Sequence, residues 1–148
     1  MKIILFQPQI PQNTGNIVRT CSVTGTELIL VEPLGFSIND RWLKRAGLDY
    51  WEGVNVTVID DLVNYLENLT SDFTFLSSKV SKRYDEVTYG KDHVLIFGSE
   101  TSGLPEEFNE RWPDKFATIP MISGVRCLNL ATSAGIVVYE AWRQQKFT

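Results

Sequence analysis

The chain has 148 residues, of which 43% are hydrophobic and 22% charged, a balance that suits one globular domain with a single sizeable core. Its net charge of −4 argues against a protein that coats nucleic acid through bulk positive charge, so RNA binding would depend on local basic patches. No apolar run approaches the roughly 20 residues of a transmembrane helix, and the first residues lack a signal-peptide pattern, so we expect a cytoplasmic protein with no membrane partner.

Six apolar runs of strand length alternate with helix-like stretches along the chain. Most of them are short, continuous and rich in Val, Ile and Phe, which is typical of a parallel sheet covered on both faces. The predicted strands are KIILFQ from Lys2, ELILVE from Glu27, VNVTVI from Val54, FTFLSS from Phe73, HVLIFG from His93 and FATIP from Phe116.

Helices are predicted between and after these strands. Asn13 is the expected N-cap of the first helix and Gly25 its C-terminal stop, because an amide side chain caps a helix start and glycine tolerates the left-handed conformation after its end. Asp60 or Asp61 can cap the second helix, which carries leucines at i, i+4 and i+7. The helices are expected from Asn13 to Thr24, from Leu62 to about Leu69, and from Asn129 to Gln145.

This alternation predicts a single α/β domain over residues 1–148, with a doubly wound parallel sheet and helices on both faces. Ligands in such sheets usually bind outside the carboxyl ends of the strands. Three loops are therefore candidate sites, at residues 7–15, 98–104 and 120–129.

The first loop and the helix that follows it carry Asn13, Gly15 and Arg19. Arg19 is expected near the strand ends, where its guanidinium fork can grip a phosphate. The same pattern also fits an ordinary capped helix with a surface arginine.

The second loop, GSETSGLP, starts at Gly98 directly after a predicted buried strand. Gly98 lets a ligand approach the backbone closely, and Glu100 can bind a hydroxyl or orient neighbouring groups. The loop has neither the three spaced glycines of a dinucleotide fingerprint nor the Gly-Lys-Ser/Thr of a Walker loop.

The third loop carries Ser123, Gly124 and Arg126 and leads into a helix with Asn129 and Ser133 on one face. Beside these hydrogen-bonding groups, the mostly apolar loop can form a slot for a flat heteroaromatic ring. Simple helix packing accounts for Ser133 equally well.

Cysteine and histidine usage argues against metal and disulfide chemistry. Cys21 and Cys127 are far apart in the sequence and are expected to be reduced thiols. The single histidine, His93, excludes a multi-histidine metal centre.

Two short basic clusters are candidates for contacts with nucleic-acid phosphates, although solvated surface charge is the alternative interpretation of both. They are Arg41, Lys44 and Arg45 in DRWLKRAG, and Lys79, Lys82 and Arg83 in SKVSKRY.

Together, the three loops resemble motifs 1, 2 and 3 of the SPOUT-class RNA 2′-O-ribose methyltransferases. The matching segments are NTGNIVRT, LIFGSETSGLP and IPMISGVRCLNLATSAGIVVYEAW, in that order along the chain. Within this class the chain is most similar to the short tRNA (cytidine/uridine-34)-2′-O-methyltransferases, the TrmL family, in PQIPQNTGNIVRTC, VEPLGF, RAGLDYW and YEAWRQ. The resemblance covers essentially the whole chain.

The resemblance implies a C-terminal trefoil knot, a homodimer, S-adenosylmethionine as methyl donor and a tRNA anticodon stem-loop as substrate. Arg19 matches the catalytic arginine of motif 1, and Asn13, Asn129 and Ser133 would complete the catalytic pocket. The implied cofactor contacts are Leu76, Gly98, Glu100, Ile119, Met121, Cys127 and Leu128, and the predicted RNA contacts are Arg41, Lys44, Arg45, Lys82, Arg83 and Arg126.

Three other functions remain open at this stage. A ribosomal RNA 2′-O-methyltransferase of the same class would be expected to carry an additional RNA-recognition domain. A non-catalytic RNA-binding module would be expected to have lost Asn13, Arg19, Gly98, Glu100 or Asn129, all of which are present. A flavodoxin-like domain would bind a flavin or a dinucleotide.

Overall fold

The computed structural model describes residues 1–41, 43, 45 and 51–148. Within these residues, strands form one sheet in the order β3-β2-β1-β5-β4-β6, and every neighbouring pair is parallel. Each strand coincides with one of the six apolar runs, so the predicted parallel sheet is confirmed. The strands are β1 (Lys2–Phe6), β2 (Glu27–Val31), β3 (Val56–Ile59), β4 (Phe73–Leu76), β5 (Val94–Phe97) and β6 (Phe116–Ala117).

Helices cover both faces of the sheet, as the sequence predicts. Successive residues of a strand point to opposite faces, and in β1 Ile3 belongs to one core layer while Ile4 belongs to the other. The layer of Ile3 packs against α1 and α4, and the layer of Ile4 packs against α2 and α3. The helices are α1 (Pro11–Thr24), α2 (Leu62–Glu67), α3 (Glu106–Arg111) and α4 (Leu130–Gln144).

The start of α1 differs from the prediction. Its N-cap is Ile10, which makes no side-chain capping bond, and Pro11 occupies the first helical position. Proline suits that position because its fixed φ matches a helix and it lacks the N–H that would otherwise be unsatisfied. Asn13 as N-cap is therefore wrong: Asn13 lies inside the first turn, where it is buried.

The end of α1 and the starts of α2 and α4 are confirmed, whereas α2 ends at Glu67, before the predicted Leu69. Gly25 adopts a left-handed conformation with φ of 67° after α1, and its N–H donates to the carbonyl of Cys21. Asp61 caps α2 by accepting a hydrogen bond from the N–H of Asn64 at 2.9 Å. Asn129 is the N-cap of α4. The short helix α3 has no counterpart in the sequence prediction, because six residues with one buried apolar side chain, Phe108, give no usable periodicity.

The end of α4 is bound to the segment between β4 and β5. The side-chain oxygen of Gln144 accepts from the N–H of Tyr89, and its amide nitrogen donates to the carbonyl of Val87, both at 3.0 Å. Gln145 donates to the carbonyl of Gly90 at 3.1 Å. These contacts fix the C-terminal helix against that segment, while the trefoil knot itself stays a prediction of the resemblance.

None of the helices among the described residues combines the length and the apolar character that crossing a membrane requires.

His93 is a buried titratable group at the amino end of β5, with 2% of its surface exposed. Its Nε2 lies 2.9 Å from Thr74 Oγ1, and its ring packs edge-on against Tyr89. Its Nδ1 has no hydrogen-bond partner among the residues that the structure describes. Burial lowers the pKa of His93 below its usual range; the Asp72 carboxylate opposes this effect, and Lys115 and the chain's amino group add to it.

This burial predicts a stability that depends on pH. Because the unfolded chain binds a proton near pH 6.5 and the folded chain resists it, stability is fully present above that pH and falls as the pH drops below it. We expect the urea-unfolding free energy of the wild type to decrease between about pH 8 and pH 5.5. In His93→Gln, which removes the chain's single histidine, this loss should be absent. An equal loss in both proteins would contradict the assignment.

Candidate active site

A cavity of about 630 Å³ lies where the carboxyl ends of β4, β5 and β6 meet the first turns of α1 and α4. This volume is within the range that encloses small organic ligands, and the position is where open parallel sheets usually bind them. Apolar and polar side chains both contribute to the wall. The apolar members are Ile10, Leu76, Phe97, Leu104, Ile119, Met121, Leu128 and Leu130.

The structure brings together the residues that the resemblance assigns to the cofactor. All seven, which lie on four separate segments of the chain, line this one cavity, together with Asn13, Arg126, Asn129 and Ser133. Their roles as cofactor contacts stay predictions. The seven are Leu76, Gly98, Glu100, Ile119, Met121, Cys127 and Leu128.

Gly98 is required by the loop itself. Ser99 and Gly103 exchange two backbone hydrogen bonds, at 3.1 and 2.9 Å, which fold the loop back over Gly98. A Cβ on Gly98 would lie 2.7 Å from the nitrogen of Leu104, closer than real Cβ atoms come to backbone. A side chain here would therefore open the turn that forms one wall of the cavity.

A continuous chain of hydrogen bonds connects the three predicted loops. Asn13 Nδ2 donates to Glu100 Oε1 at 3.3 Å, and Asn13 Oδ1 accepts from Asn129 Nδ2 at 2.9 Å. Asn129 Oδ1 accepts in turn from the N–H of Ala131 at 2.9 Å and from that of Thr132 at 3.3 Å. The oxygen and the nitrogen of each carboxamide thus have at least one hydrogen-bond partner, and these bonds fix the orientation of both side chains at the cavity wall.

Glu100 also closes the start of α1. Its carboxylate accepts from the N–H of Gln9 at 2.7 Å and from that of Ile10 at 3.2 Å. These donors lie at the helix N-terminus, where the helix dipole favours a negative charge. Glu100 therefore ties the two residues just before α1 to the second loop, while α1 itself has no side-chain N-cap. This arrangement makes Glu100 a positioning residue, whatever it contacts in a bound ligand.

Arg19 lies apart from the cavity of its own chain. It is exposed on α1 and is not among the lining residues. It lies six positions after Asn13 in the helix, which places it about 9 Å further along the axis and roughly 120° away around it. The predicted catalytic arginine and the predicted cofactor contacts are therefore not brought together within one chain.

The predicted RNA contacts differ in their location and in their pairing with carboxylates. Arg126 is exposed and lines the cavity. Arg83 is held by Asp85 through two hydrogen bonds, at 2.9 and 2.7 Å, and this pairing raises the pKa of the guanidinium and lowers that of the carboxyl. Lys82, Arg41 and Arg45 are exposed. Lys44 lies outside the described residues.

One wall of the cavity is formed by a loop that the sequence did not predict as a binding loop. It consists of Ser77, Ser78 and Lys79, which directly follow β4. The available signal is the run FTFLSSK, in which a buried strand passes into three polar residues. Ser78 accepts a hydrogen bond from the thiol of Cys127 at 3.6 Å, so this wall contacts the third loop.

Cysteine and metal chemistry add little to this site. Cys21 is a buried free thiol in α1, and burial raises its pKa to about 12. Cys127 is a free, exposed thiol on the cavity wall. No group of three or more His, Cys, Asp or Glu side chains that could hold a metal ion occurs among the residues that the structure describes.

Comparison with known proteins agrees with the resemblance found in the sequence. The family model described as SpoU rRNA Methylase family matches residues 1–139. A Methylovorus glucosotrophus protein named tRNA (cytidine(34)-2′-O)-methyltransferase is 46% identical, over 98% of this chain and 96% of its own.

Two solved structures show how far the fold is shared. One, from work on the 2-OH methylation of C/U34 on tRNA, has a TM-score of 0.90 and 40% identity, and the match covers 99% of this chain and 97% of that one. An AdoMet-bound rRNA methyltransferase from Sinorhizobium meliloti has a TM-score of 0.78 and 26% identity, with coverage of 96% of this chain and 55% of that one.

Proposed function

The chain belongs to the SpoU rRNA methylase family, and on that basis we propose that it transfers a methyl group from S-adenosylmethionine to the ribose 2′-hydroxyl of nucleotide 34 of a tRNA. The observation that carries this proposal is the cavity, because every residue that the resemblance assigns to the cofactor lines it. Relatives that match along nearly their whole length and are associated with 2′-O-methylation at nucleotide 34 of tRNA support the choice of nucleotide.

The cavity fits this methyl donor in size and in the character of its wall. Leu76, Ile119 and Leu128 offer apolar surface for a flat adenine ring, and the backbone around them offers hydrogen-bonding groups for its edge. Glu100 is the only carboxylate lining the cavity among the described residues, and its oxygens already accept three hydrogen bonds. When bound, S-adenosylmethionine supplies an electrophilic methyl group.

The residues of the chain then have to position a hydroxyl. The new bond joins the 2′-oxygen to the methyl carbon as the sulfur–carbon bond breaks, and the hydroxyl proton passes to solvent. Holding the two reacting groups in line accounts for much of such a rate enhancement. We assign Arg19 to orient the target phosphate and stabilise the developing negative charge on oxygen. A guanidinium is always protonated in proteins and is a poor base.

A second copy of the chain would supply that arginine. Within one chain Arg19 is exposed and lies outside the cavity. The helices α1 and α4 pack against each other, and their exposed apolar side chains include Val23 at 58% and Tyr139 at 46% exposure. A two-fold dimer through these helices would cover this apolar surface and bring Arg19 towards the cavity of the partner.

The proposed substrate segment is the anticodon stem-loop of tRNA. The net charge of −4 does not favour wrapping a long RNA, whereas a short stem-loop needs only a few cations near the cavity. Arg126 lies on the cavity wall, and the other proposed RNA contacts are Arg41, Lys44, Arg45, Lys82 and Arg83.

The direct test is methyl transfer from labelled S-adenosylmethionine to unmodified total tRNA, followed by mapping of the labelled nucleotide. We expect a 2′-O-methyl group at nucleotide 34. Arg19→Ala should lower the rate at least about 100-fold, because a positioned charge that acts on the transition state is lost. Arg19→Lys should recover only a small part of the rate, since an ammonium lacks the bidentate fork. Cofactor affinity should be unchanged in both variants.

Two results would overturn this assignment. Label in ribosomal RNA and not in tRNA would move the proposed function to the ribosomal substrate. A loss of cofactor affinity alone in Arg19→Ala would remove the catalytic role of Arg19.

The shared site predicts complementation between two inactive variants. Arg19→Ala removes the arginine, and Leu128→Trp fills the cavity at a half-exposed position. Coexpression with two different tags, followed by purification through both, isolates the mixed dimer. In the mixed dimer, the Arg19→Ala chain keeps an open cavity and the Leu128→Trp chain supplies an intact Arg19 to it. One of the two sites is therefore complete, and we expect about half of the wild-type rate per dimer.

The controls are the two parent dimers, each purified separately and each expected to be inactive. If Arg19 acts within its own chain, the mixed dimer has no complete site and will be as inactive as its parents. That outcome would contradict the proposal that a partner supplies the arginine.

A further inference from the structure

Two positively charged side chains from different loops line the cavity. Lys79 follows β4 and Arg126 precedes α4, and both are exposed. Their chain neighbours Ser78 and Cys127 are in direct contact, with 3.6 Å between Oγ and Sγ. The two loops that carry the ammonium and the guanidinium are therefore in contact at the cavity wall.

Neither charge is neutralised within the described part of the chain. No ion pair there involves Lys79 or Arg126, whereas Arg83 in the same basic cluster is paired with Asp85 at 2.7 Å. The carboxylate of the cavity, Glu100, is occupied at the start of α1. An anion within reach of both side chains would be attracted by two positive charges that no carboxylate pairs with among the described residues.

The lysine is anchored by its own turn. The N–H of Lys79 donates to Ser77 Oγ at 3.2 Å, and the N–H of Ser77 donates to the carbonyl of Ala117 in β6 at 2.9 Å. The base of the Lys79 side chain is thus fixed against the sheet edge. A fixed base reduces the conformational entropy that is lost when the ammonium binds a ligand.

We infer that Lys79 and Arg126 form an anion site that holds a backbone phosphate of the RNA strand next to the target nucleotide. The inference rests on the proposed function and assigns Lys79, a member of the second predicted basic cluster, to one phosphate together with Arg126 of the third loop. A phosphate accepts hydrogen bonds from a guanidinium and an ammonium together. Lys82, also exposed, lies three residues further along the same segment, where the strand would continue.

The alternative anion in this site would be the carboxylate of the cofactor. The methionine end of that molecule also carries an ammonium and a sulfonium, so its net charge is positive. Two protein cations at the cavity mouth would repel this end as a whole. A phosphate of RNA carries no such opposing charge, and it therefore matches the pair better.

The test compares Lys79→Gln with Lys91→Gln, an identical charge change at an exposed lysine before the amino end of β5, on the edge away from the cavity. Binding of a labelled anticodon stem-loop is measured between about 50 and 200 mM salt. For Lys79→Gln we expect roughly threefold to tenfold weaker binding, and a slope of log K against log salt shallower by about 0.7. Cofactor affinity should be unchanged, and Lys91→Gln should match the wild type in both measurements.

Two outcomes would overturn the inference alone. One is an unchanged salt slope in Lys79→Gln while the wild type still methylates tRNA. The other is a loss of cofactor affinity with RNA affinity retained, which would assign the pair to the cofactor's carboxylate. A wild-type protein that neither binds nor methylates the RNA would instead overturn the proposed function as well.

Discussion

The hydrogen bonds from Glu100 to Asn13 and from Asn13 to Asn129 are the constraint on which the cavity depends. They join three loops that are separated by 87 and 116 residues along the chain. Parallel strands bring their carboxyl ends to one edge of the sheet, but the loops that follow them have no ladder of their own. A mostly buried carboxamide with both ends occupied gives these loops one mutual arrangement, because an unpaired polar group there would be costly.

These hydrogen bonds assign Asn13, Glu100 and Asn129 to positioning the loops and helices rather than to the chemical step. Asn13, Glu100 and Asn129 use their polar atoms largely on one another and on backbone N–H groups. They are therefore better suited to hold α1 and α4 in place than to exchange protons with a substrate. The same helices carry exposed apolar side chains and Arg19, so the rigid chain of hydrogen bonds would also set the geometry of the proposed dimer. On this account, the cavity and the arginine belong to one rigid unit whose complete site forms only between two copies.

Local patterns in the sequence predicted much of this fold. Continuous apolar runs located every strand, and Gly25, Asp61 and Asn129 marked helix ends because each acts within its own turn. The N-cap assignment of Asn13 failed because α1 begins two residues earlier, at Pro11, and the Asn13 side chain bonds instead to Glu100 and Asn129, which are distant in the sequence. Strand order likewise depends on packing over the whole chain. The resemblance selected residues that meet in one cavity, and the charge pattern marked Lys79 as a candidate phosphate contact. That Lys79 lies on the cavity wall near the loop of Arg126 depends on the contact between Ser78 and Cys127, which the sequence did not predict.

The measurement that tests the central claim most directly is a double-mutant cycle between Glu100 and Asn129, whose side chains are connected through Asn13. Urea-unfolding free energies are compared, at one protein concentration, for the wild type, Glu100→Ala, Asn129→Ala and the double variant. We expect the double variant to lose about 0.5–1 kcal/mol less than the sum of the single losses, and we expect this coupling to disappear in an Asn13→Ala background. Single losses that add within about 0.3 kcal/mol, or a coupling that survives without Asn13, would contradict the account.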